Sequence, residues 1–385
     1  MAPPRLCRIV TVPLTFATLL RQQVRCIAAA GLDLTLVSSP GEALNEVARE
    51  AGVRAHALPM AREPAPRRDL AALAALTRFL RRERFSLVHS STPKAGLLTA
   101  LAAGAAGVPF RLHTYTGQPW VERRGFVRWA AREADRLIGQ LDTHLYTDSY
   151  SQRDFLVAQG LVRPDRLRVL GAGSISGVDL RRFDPAAWAG ERGTIRARLG
   201  IAPEARVIVF VGRLTRDKGL PELVTAFQAL SARLADVQLV LVGPLEPERD
   251  PLPLETQNAI DSNERIHAVG FSAKPERYLA AADLFCLPSY REGFGSVVIE
   301  AGAMGLPSVA TRVTGLVDAV VEGETGRLVP PKDAHALAGA LAELLESETL
   351  RRALGAAARQ RAVQHFDAAA VNAAVVAEYR RLLAW

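Results

Sequence analysis

The sequence predicts an α/β protein with two doubly wound parallel sheets. Short apolar segments that suit buried strands alternate with longer helix-like segments, first over residues 5–147 and again from residue 206 onward. Repeated strand–helix alternation with short loops is typical of parallel sheets covered by helices. A segment dense in Gly, Ser and Asp at residues 170–185 separates the two series. A chain of 385 residues is long enough for two domains, each with its own core.

The first series supplies the strands and helices of the N-terminal sheet. Its predicted strands are short and mostly apolar, and they cover residues 5–12, 32–37, 87–89, 110–113 and 143–147. Its predicted helices have helical periodicity, and they cover residues 17–30, 68–84, 94–106 and 122–140.

The second series repeats the pattern. Its predicted strands cover residues 206–211, 238–242, 267–270 and 284–287. Helices are predicted at residues 220–234 and 274–282, and a last helix at 367–383.

Composition argues against several classes of protein. No segment offers the roughly 18 uninterrupted apolar residues of a membrane-spanning helix, and the N-terminus lacks the features of a signal peptide. Cys7, Cys26 and Cys286 are too widely spaced for a metal motif or a disulfide framework. We therefore expect a cytoplasmic protein with buried thiols.

The positive charge is concentrated in the first half of the chain. Residues 1–190 carry 26 Lys and Arg against 16 Asp and Glu, whereas the remainder carries 22 against 24. Such a field attracts anionic lipid, diphosphates or nucleic acid, although Arg-rich solvated helix faces are the simpler explanation. Because the sequence shows no recognition motif and no basic platform interleaved with aromatic residues, we expect an anionic membrane surface rather than nucleic acid as partner.

Two carboxylates enclose a Gly-rich turn late in the second series. Glu292 follows the strand predicted at 284–287, and Glu300 lies about one turn inside the next helix. The turn and the start of that helix consist of Gly293, Phe294, Gly295 and Ser296. The free N–H groups of such a helix start favour an anion. The arrangement suits a site that holds the hydroxyls of a sugar and a ribose, and the alternative is a solvated acid plus a helix-dipole charge.

Two cations follow the strand predicted at 206–211. Arg213 and Lys218 lie on the loop between Gly212 and a helix start, where open α/β sheets bind ligands. Fixed cations stabilise a diphosphate leaving group without a metal. Since the sequence contains no Asp-x-Asp, we expect a metal-free site and no cofactor beyond a nucleotide co-substrate. The alternative is an ordinary surface pair near a helix start.

Polar residues also follow strands of the first series. His89 and His113 end two successive predicted strands, with Lys94 and Thr116 close behind them. This cluster suits contacts to a donor sugar and an acceptor, or else satisfied strand-end histidines. In the first loop, Thr15 and Phe16 are candidates for an acceptor entrance.

The Glu292–Glu300 block, together with Arg213 and Lys218, resembles the E-x7-E signature of retaining glycosyltransferases of the large family four, which have the GT-B fold. The resemblance covers nearly the whole chain and is strongest after about residue 170. It implies that Glu292 holds the transferred sugar, Glu300 the ribose, and Arg213 with Lys218 the diphosphate. Family members often carry a histidine just before a Gly in this region, where it contacts the donor sugar. Here Thr116 precedes Gly117 and His113 lies three positions earlier, so the resemblance offers His113 for that role, with a satisfied strand-end histidine as the alternative.

The family fold implies two Rossmann-like domains that face a central cleft. The expected division is an acceptor-binding domain at 1–185 with a hinge at about 171–200, and a nucleotide-sugar domain at 186–366. A terminal helix at 367–385 would cross back to pack on the first domain.

Segments 89–96 and 171–179 resemble the branches that build bacterial surface polysaccharides. This resemblance implies a UDP-sugar donor, a polyprenyl-diphosphate-linked acceptor, and work at the inner face of the cytoplasmic membrane. The alternatives are transfer to a soluble acceptor, a sugar-nucleotide epimerase, and a non-catalytic nucleotide-sugar-binding protein. A dehydrogenase is disfavoured because the glycines at 171–177 precede no amphipathic helix.

Overall fold

The computed structural model describes residues 3–385. The chain forms two compact units. Unit 1 comprises the described residues up to Gly177 together with Ala368–Trp385, and unit 2 comprises Val178–Asp367.

Unit 1 is built on a seven-stranded sheet with the order β3-β2-β1-β4-β5-β6-β7, in which every pair is parallel. Its strands are β1 (Arg5–Ile9), β2 (Asp33–Ser38), β3 (Arg54–Ala57), β4 (Leu87–Ser91), β5 (Phe110–Tyr115), β6 (His144–Thr147) and β7 (Leu167–Val169). Its helices are α1 (Arg21–Ala29), α2 (Glu42–Ala51), α3 (Pro66–Glu83), α4 (Pro93–Ala106), α5 (Gly125–Leu141) and α6 (Tyr150–Ala158).

Unit 2 contains a six-stranded parallel sheet with the order β10-β9-β8-β11-β12-β13. Its strands are β8 (Arg206–Val211), β9 (Val237–Val242), β10 (Ile266–Gly270), β11 (Leu284–Leu287), β12 (Ser308–Thr311) and β13 (Gly326–Val329). Its helices are α7 (Pro185–Trp188), α8 (Arg192–Arg198), α9 (Leu220–Arg233), α10 (Leu254–Ser262), α11 (Glu276–Ala281), α12 (Ser296–Ala303), α13 (Leu316–Ala319), α14 (Ala334–Glu346) and α15 (Glu348–His365).

The central strands are apolar because helices cover both faces of each sheet. All four residues of β11 are buried, and so are five of the six residues of β8. Parallel sheets enclosed in this way read as nearly continuous apolar runs. This is why most of the central strands could be predicted from the sequence.

The last helix, α16 (Ala368–Leu383), belongs to unit 1 although unit 2 precedes it in the chain. Val375, Val376, Tyr379 and Leu382 enter the core that α1, α2 and β1 also build. Burial of this apolar stripe attaches the end of the chain to unit 1.

Several predicted boundaries differ from the structure. The edge strand β3 was not predicted, because its Arg-Ala-His-Ala sequence has no buried residue. The first strand ends at Ile9 rather than residue 12, and a π-helical turn at Phe16–Leu20 precedes α1. The helix predicted at 122–140 begins only at Gly125, after a 3₁₀ turn at Pro119–Glu122.

The thiols are mostly buried, and the hinge glycines precede no helix in the described chain before residue 185. Cys7 and Cys286 are buried and Cys26 is partly buried. Within the described chain, no helix follows β7 until Pro185, so the dinucleotide-binding pattern lacks the helix that it requires.

The strand order of each sheet reverses at one point. In unit 1 the reversal lies between β1 and β4, and in unit 2 between β8 and β11. Open α/β sheets bind ligands at the carboxyl ends of the strands beside such a switch point. The loops after β8 and β11 are the ones that carry the predicted cations and carboxylates.

Candidate active site

The loop after β8 carries the two predicted cations. It starts at Gly212, contains a 3₁₀ turn at Arg216–Lys218, and ends at Gly219, where α9 begins. The partly buried Arg213 guanidinium donates a hydrogen bond of 2.7 Å from Nη1 to Glu246 Oε2. Arg213 is thus held at the carboxyl end of β8.

Acidic neighbours keep the Arg213 guanidinium charged. Burial lowers its pKa, but Asp217, Glu246 and Glu292 outweigh burial, so that the pKa lies above the ordinary value. The Arg213 Nη2 and Asp217 Oδ2 atoms are 3.6 Å apart. The site therefore contains a permanent positive charge.

The second predicted cation contacts the first predicted carboxylate. Lys218 Nζ lies 2.5 Å from Glu292 Oε1, in a charge-assisted hydrogen bond between the β8–α9 and β11–α12 loops. The exposed fractions of the two side chains are 16% and 15%. Ser289 Oγ donates a second hydrogen bond of 2.8 Å to Glu292 Oε1. The structure thus brings together two motifs that are 74 positions apart.

Two glycines in the left-handed region begin the helices beside these charges. Gly219 has φ +74° at the N-cap of α9, and Gly295 has φ +85° at the N-cap of α12. A side chain on Gly219 would collide with the carbonyl of Pro288, at the end of β11. The close approach of the two loops therefore requires glycine. The free N–H groups of both helix starts lie in the same loops as Lys218 and Glu292.

The second predicted carboxylate, Glu300, is partly buried on α12. Desolvation raises its pKa to about 7, Glu276 adds to the shift, and Arg182 opposes it. Within residues 3–385 its carboxylate accepts no hydrogen bond. Glu300 is thus an unpaired acid whose charge changes near neutral pH.

Asp217 is a site residue that sequence reasoning missed. Its carboxylate accepts hydrogen bonds from Thr215 Oγ1 at 2.6 Å and from Arg291 Nη2 at 2.9 Å. Its own N–H donates to Asp250 Oδ2 at 2.7 Å. Asp217 therefore connects the β8–α9 loop to Arg291, beside Glu292. The available signal was its position directly before Lys218.

The two histidines of unit 1 are buried and hydrogen bonded. His89 Nδ1 lies 2.6 Å from the hydroxyl of Tyr379 on α16, and its Nε2 lies 2.7 Å from Thr114 Oγ1. His113 Nδ1 lies 2.8 Å from Ser90 Oγ. Burial lowers the pKa of His113 to about 3 and that of His89 well below its usual value, so both rings are neutral.

The position of His113 matches the alternative of a satisfied strand-end histidine. Its ring is 2% exposed and lies against Gly96 of α4, where even a Cβ would collide with it. Of the described histidines, His113 was the candidate for the donor-sugar contact. That role stays a prediction, and in this structure the ring lies against Gly96 of α4.

The remaining acceptor-side candidates differ in their surroundings. Lys94 Nζ donates hydrogen bonds of 2.8 and 2.9 Å to the Asp69 carboxylate and ties α4 to α3. Phe16 is fully buried in the core with Leu20 and is not an exposed entrance residue. Thr15 and Thr116 are partly buried.

Known families match both halves of the chain. The family described as "Glycosyl transferases group 1" matches residues 191–361, and the "Glycosyl transferase 4-like domain" matches residues 16–173. The D-inositol 3-phosphate glycosyltransferase of Saccharomonospora viridis is 33% identical over 315 residues, which cover 78% of this chain and 71% of that protein. The chain belongs to the group 1 glycosyltransferases.

Two further relatives of this glycosyltransferase are named for work on bacterial polysaccharides or lipid-linked sugars. The capsular polysaccharide biosynthesis glycosyltransferase CapM of Staphylococcus aureus is 29% identical, over 91% of this chain and 90% of that protein. The UDP-Gal:alpha-D-GlcNAc-diphosphoundecaprenol alpha-1,3-galactosyltransferase of Escherichia coli is 26% identical, over 74% and 72% of the two chains.

The fold of this glycosyltransferase is also found in solved structures. Anabaena Alr3699/HepE, crystallised with UDP and glucose, superposes with a TM-score of 0.81 at 20% identity and covers 98% of this chain and 100% of its own. At that identity the likeness concerns the fold alone. It confirms the predicted fold class of two Rossmann-like domains with parallel sheets.

Two structural features are missing from residues 3–385 of the glycosyltransferase. No helix in that range is both long and apolar enough to cross a bilayer. No group of three or more His, Cys, Asp and Glu side chains in the same range is arranged to hold a metal ion.

Proposed function

We propose that this enzyme transfers a sugar from a UDP-sugar to a saccharide linked to a lipid diphosphate, with retention of anomeric configuration and without a metal. The observation that carries the proposal is the contact of Lys218 with Glu292 at the β8/β11 switch point. It unites a cation suited to a leaving diphosphate with a carboxylate suited to sugar hydroxyls. Arg213 adds a second cation on the same loop.

Each charged side chain has a separate role in this proposal. Arg213 and Lys218 stabilise the diphosphate as its negative charge increases. Glu292 accepts hydrogen bonds from hydroxyls of the transferred sugar, and Glu300 accepts them from the ribose. The first-turn N–H groups of α9 and α12 contribute further positive potential.

Retention requires attack on the face that the diphosphate leaves. The bond between the anomeric carbon and the phosphate oxygen breaks, and its electron pair goes to the diphosphate. The acceptor oxygen then bonds to the same carbon, and its proton passes to an oxygen of the leaving phosphate. No described side chain is needed as a covalent nucleophile, so the enzyme contributes orientation and charge stabilisation.

The donor and acceptor classes are supported by relatives. The galactosyltransferase of Escherichia coli is named for UDP-Gal and a diphosphoundecaprenol-linked acceptor, and CapM for capsular polysaccharide biosynthesis. The excess of basic residues in the first half of this chain suits an acceptor at an anionic membrane. We propose that the enzyme works peripherally at the inner face of the cytoplasmic membrane.

A soluble acceptor is the second candidate. The relative from Saccharomonospora viridis is named for D-inositol 3-phosphate, which is a small water-soluble compound. A direct comparison separates the two candidates. Transfer to polyprenyl-diphosphate-linked saccharides in detergent is measured beside transfer to inositol phosphate and to free sugars. Faster transfer to the soluble compounds would reject the lipid-linked acceptor.

Thermal unfolding tests two parts of the proposal, that the donor carries UDP and that its binding needs no metal. UDP, GDP, ADP and NAD are added at matched concentrations in EDTA. At 100 times its dissociation constant a ligand stabilises the folded protein by about 2.7 kcal/mol, which gives a clear shift in Tm. We expect UDP to give the largest shift. A shift with NAD alone, or a UDP shift that EDTA abolishes, would contradict the proposal.

The stereochemistry is read directly from the product. A UDP-sugar with an α-linked diphosphate should give an α-glycoside, which the anomeric proton coupling in the NMR spectrum identifies for sugars of gluco or galacto configuration. A β-glycoside would reject the same-face mechanism.

A further inference from the structure

The start of α5 exposes a continuous stretch of bulky apolar and basic residues. All seven residues at 123–129 are exposed, and the exposed acid Glu122 precedes them. Phe126 is 76% exposed, Trp129 57% and Val127 53%. The two aromatic rings lie side by side, with centroids 5.4 Å apart. Exposed apolar side chains grouped in this way mark a surface that binds a partner.

Arginines surround these rings. Arg123 and Arg124 directly precede α5, and Arg128 lies between Val127 and Trp129. Across the described chain, none of these three guanidinium groups forms an ion pair with a carboxylate. Their charge is therefore available to a partner. The sequence prediction overlooked this combination, because it found no aromatic residues interleaved with the basic residues.

The part of α5 that follows the surface is packed into unit 1. Asp135, Ile138 and Gly139 of α5 are buried, and the Asp135 carboxylate accepts a hydrogen bond of 2.6 Å from Trp120 Nε1. The Arg128 guanidinium carbon lies 5.9 Å from the centroid of the Trp120 ring. The exposed first turns thus extend from a fixed base.

We propose that Phe126, Val127 and Trp129 insert into the interfacial layer of an anionic membrane, while Arg123, Arg124 and Arg128 bind lipid headgroups. Aromatic rings favour the headgroup level, where an apolar body and a polar edge are both satisfied. Basic residues beside them add electrostatic attraction to anionic lipid. Charge complementarity decides for this occupant. The proposed function includes a contact with the membrane, and this assignment says where on the enzyme that contact lies. The biological purpose of the surface rests on the proposed function, but vesicle binding can be measured without it.

Cosedimentation with vesicles tests the surface in the full-length enzyme. Wild type is expected to bind phosphatidylcholine vesicles that contain about one third phosphatidylglycerol at least roughly tenfold more tightly than pure phosphatidylcholine. The double variant F126S/W129S should lose roughly tenfold or more, because two rings no longer leave water. R123Q/R124Q should lose roughly tenfold to thirtyfold.

Matched controls come from unit 2. Leu254 is 73% exposed, so L254S removes an exposed apolar side chain elsewhere. R181Q/R198Q removes two positive charges from other exposed positions of unit 2. Both controls should bind vesicles as wild type does. Equal binding by wild type and F126S/W129S, or equal losses in the controls, would overturn the assignment.

Fluorescence locates the inserted ring. Brominated lipids quench tryptophan only at short range, and W129F keeps an aromatic ring at that position. We expect W129F to bind vesicles while losing most of the quenching seen in wild type. Quenching that persists in W129F would show that a different tryptophan inserts, against the proposal.

Two other partners of this surface, a second copy of the chain and nucleic acid, would give different results. If the surface joins two copies of the chain, analytical ultracentrifugation without lipid will show an oligomer that F126S/W129S dissociates. If it binds nucleic acid, single-stranded RNA will displace the enzyme from vesicles through Arg123 and Arg124, and brominated lipids will not quench Trp129 in the wild-type enzyme. Either result would overturn the lipid assignment.

The membrane surface and the proposed function can be tested independently of each other. E292A, which impairs the proposed transfer chemistry, should bind vesicles as wild type does. Vesicle binding that requires Phe126 and Trp129, combined with transfer only to soluble acceptors, would reject the lipid-linked acceptor and keep the membrane surface. Transfer to a lipid-linked acceptor without any vesicle binding would keep the lipid-linked acceptor and reject the membrane surface.

Discussion

The Lys218 ammonium and the Glu292 carboxylate, 74 positions apart in the chain, are 2.5 Å from each other at the carboxyl ends of β8 and β11. The contact exists because these strands are neighbours in the sheet although β9 and β10 lie between them in sequence. The diphosphate of a donor bound here would contact the same ammonium group that Glu292 contacts. Lys218 has three N–H donors, so it can hold a phosphate oxygen and Glu292 together.

Loss of either partner should reduce transfer strongly. We expect K218A and E292A each to lower kcat/KM by about 10²–10³, the usual result of removing one oriented group that stabilises transition-state charge. Because the two side chains form a pair, the double variant should lose less than the product of the single effects. Steady-state kinetics with the best UDP-sugar measures all three.

Lys274 provides the control for this pair, since it is an exposed lysine of the same unit. K274A should retain wild-type kcat/KM. Normal rates in folded K218A and E292A would contradict the proposed roles.

The charge of Glu300 should make donor binding depend on pH. Its pKa is raised to about 7, mainly by desolvation. Ribose hydroxyls donate to the ionised carboxylate, so donor binding below pH 7 must first remove a proton. The affinity for a UDP-sugar should therefore be about tenfold lower at pH 6 than at pH 8, as titration calorimetry can measure. In E300Q this dependence should flatten, and an unchanged slope would assign the effect to another group.

Asp142 should lower the stability of the fold at neutral and alkaline pH. It is 1% exposed, and neither of its carboxylate oxygens has a hydrogen-bond partner in the described chain. Burial raises its pKa to about 7, against the opposing effect of Arg111 and Arg166. Since the folded-state pKa lies above the unfolded value, the penalty is absent below about pH 4, grows between pH 4 and 7, and is complete above pH 7.

D142N removes this penalty. It should stabilise the protein by on the order of 2–4 kcal/mol at pH 8 and by much less at pH 5. Urea unfolding at the two pH values measures the difference. A gain of equal size at both would point to packing and not to the charge.

Gly219 should not tolerate alanine, whereas Gly339 should. A Cβ on Gly219 meets the Pro288 carbonyl, and φ is +74°. G219A should therefore destabilise unit 2 by about 1–3 kcal/mol and weaken UDP binding. Gly339 lies inside α14 with open space around it, so G339A should stabilise the protein by about 0.5–1 kcal/mol. Thermal unfolding compares the two, and equal effects would contradict the steric argument.

Much of the fold was accessible from the sequence because buried parallel strands have a strong apolar signal. β8, β9 and β11 were predicted nearly to the residue. The same reasoning failed at β3, an exposed edge strand that buries no residue, and at the start of α5. It also missed β12 and β13, which are mostly buried, because four residues are too few to show a pattern reliably. Polar edges and exposed helix starts have no apolar pattern to detect.

The sequence by itself determined the alternation of strands and helices, the two charged loops and the class of enzyme that they indicate. These depend on local residue types and short spacings. Only the tertiary structure decided which distant groups meet. It paired Lys218 with Glu292, and it buried His113 and Phe16 in the core of unit 1. It also left Phe126 and Trp129 exposed among arginines. Strand order and helix packing set these outcomes, and neither is encoded in any single segment of the chain.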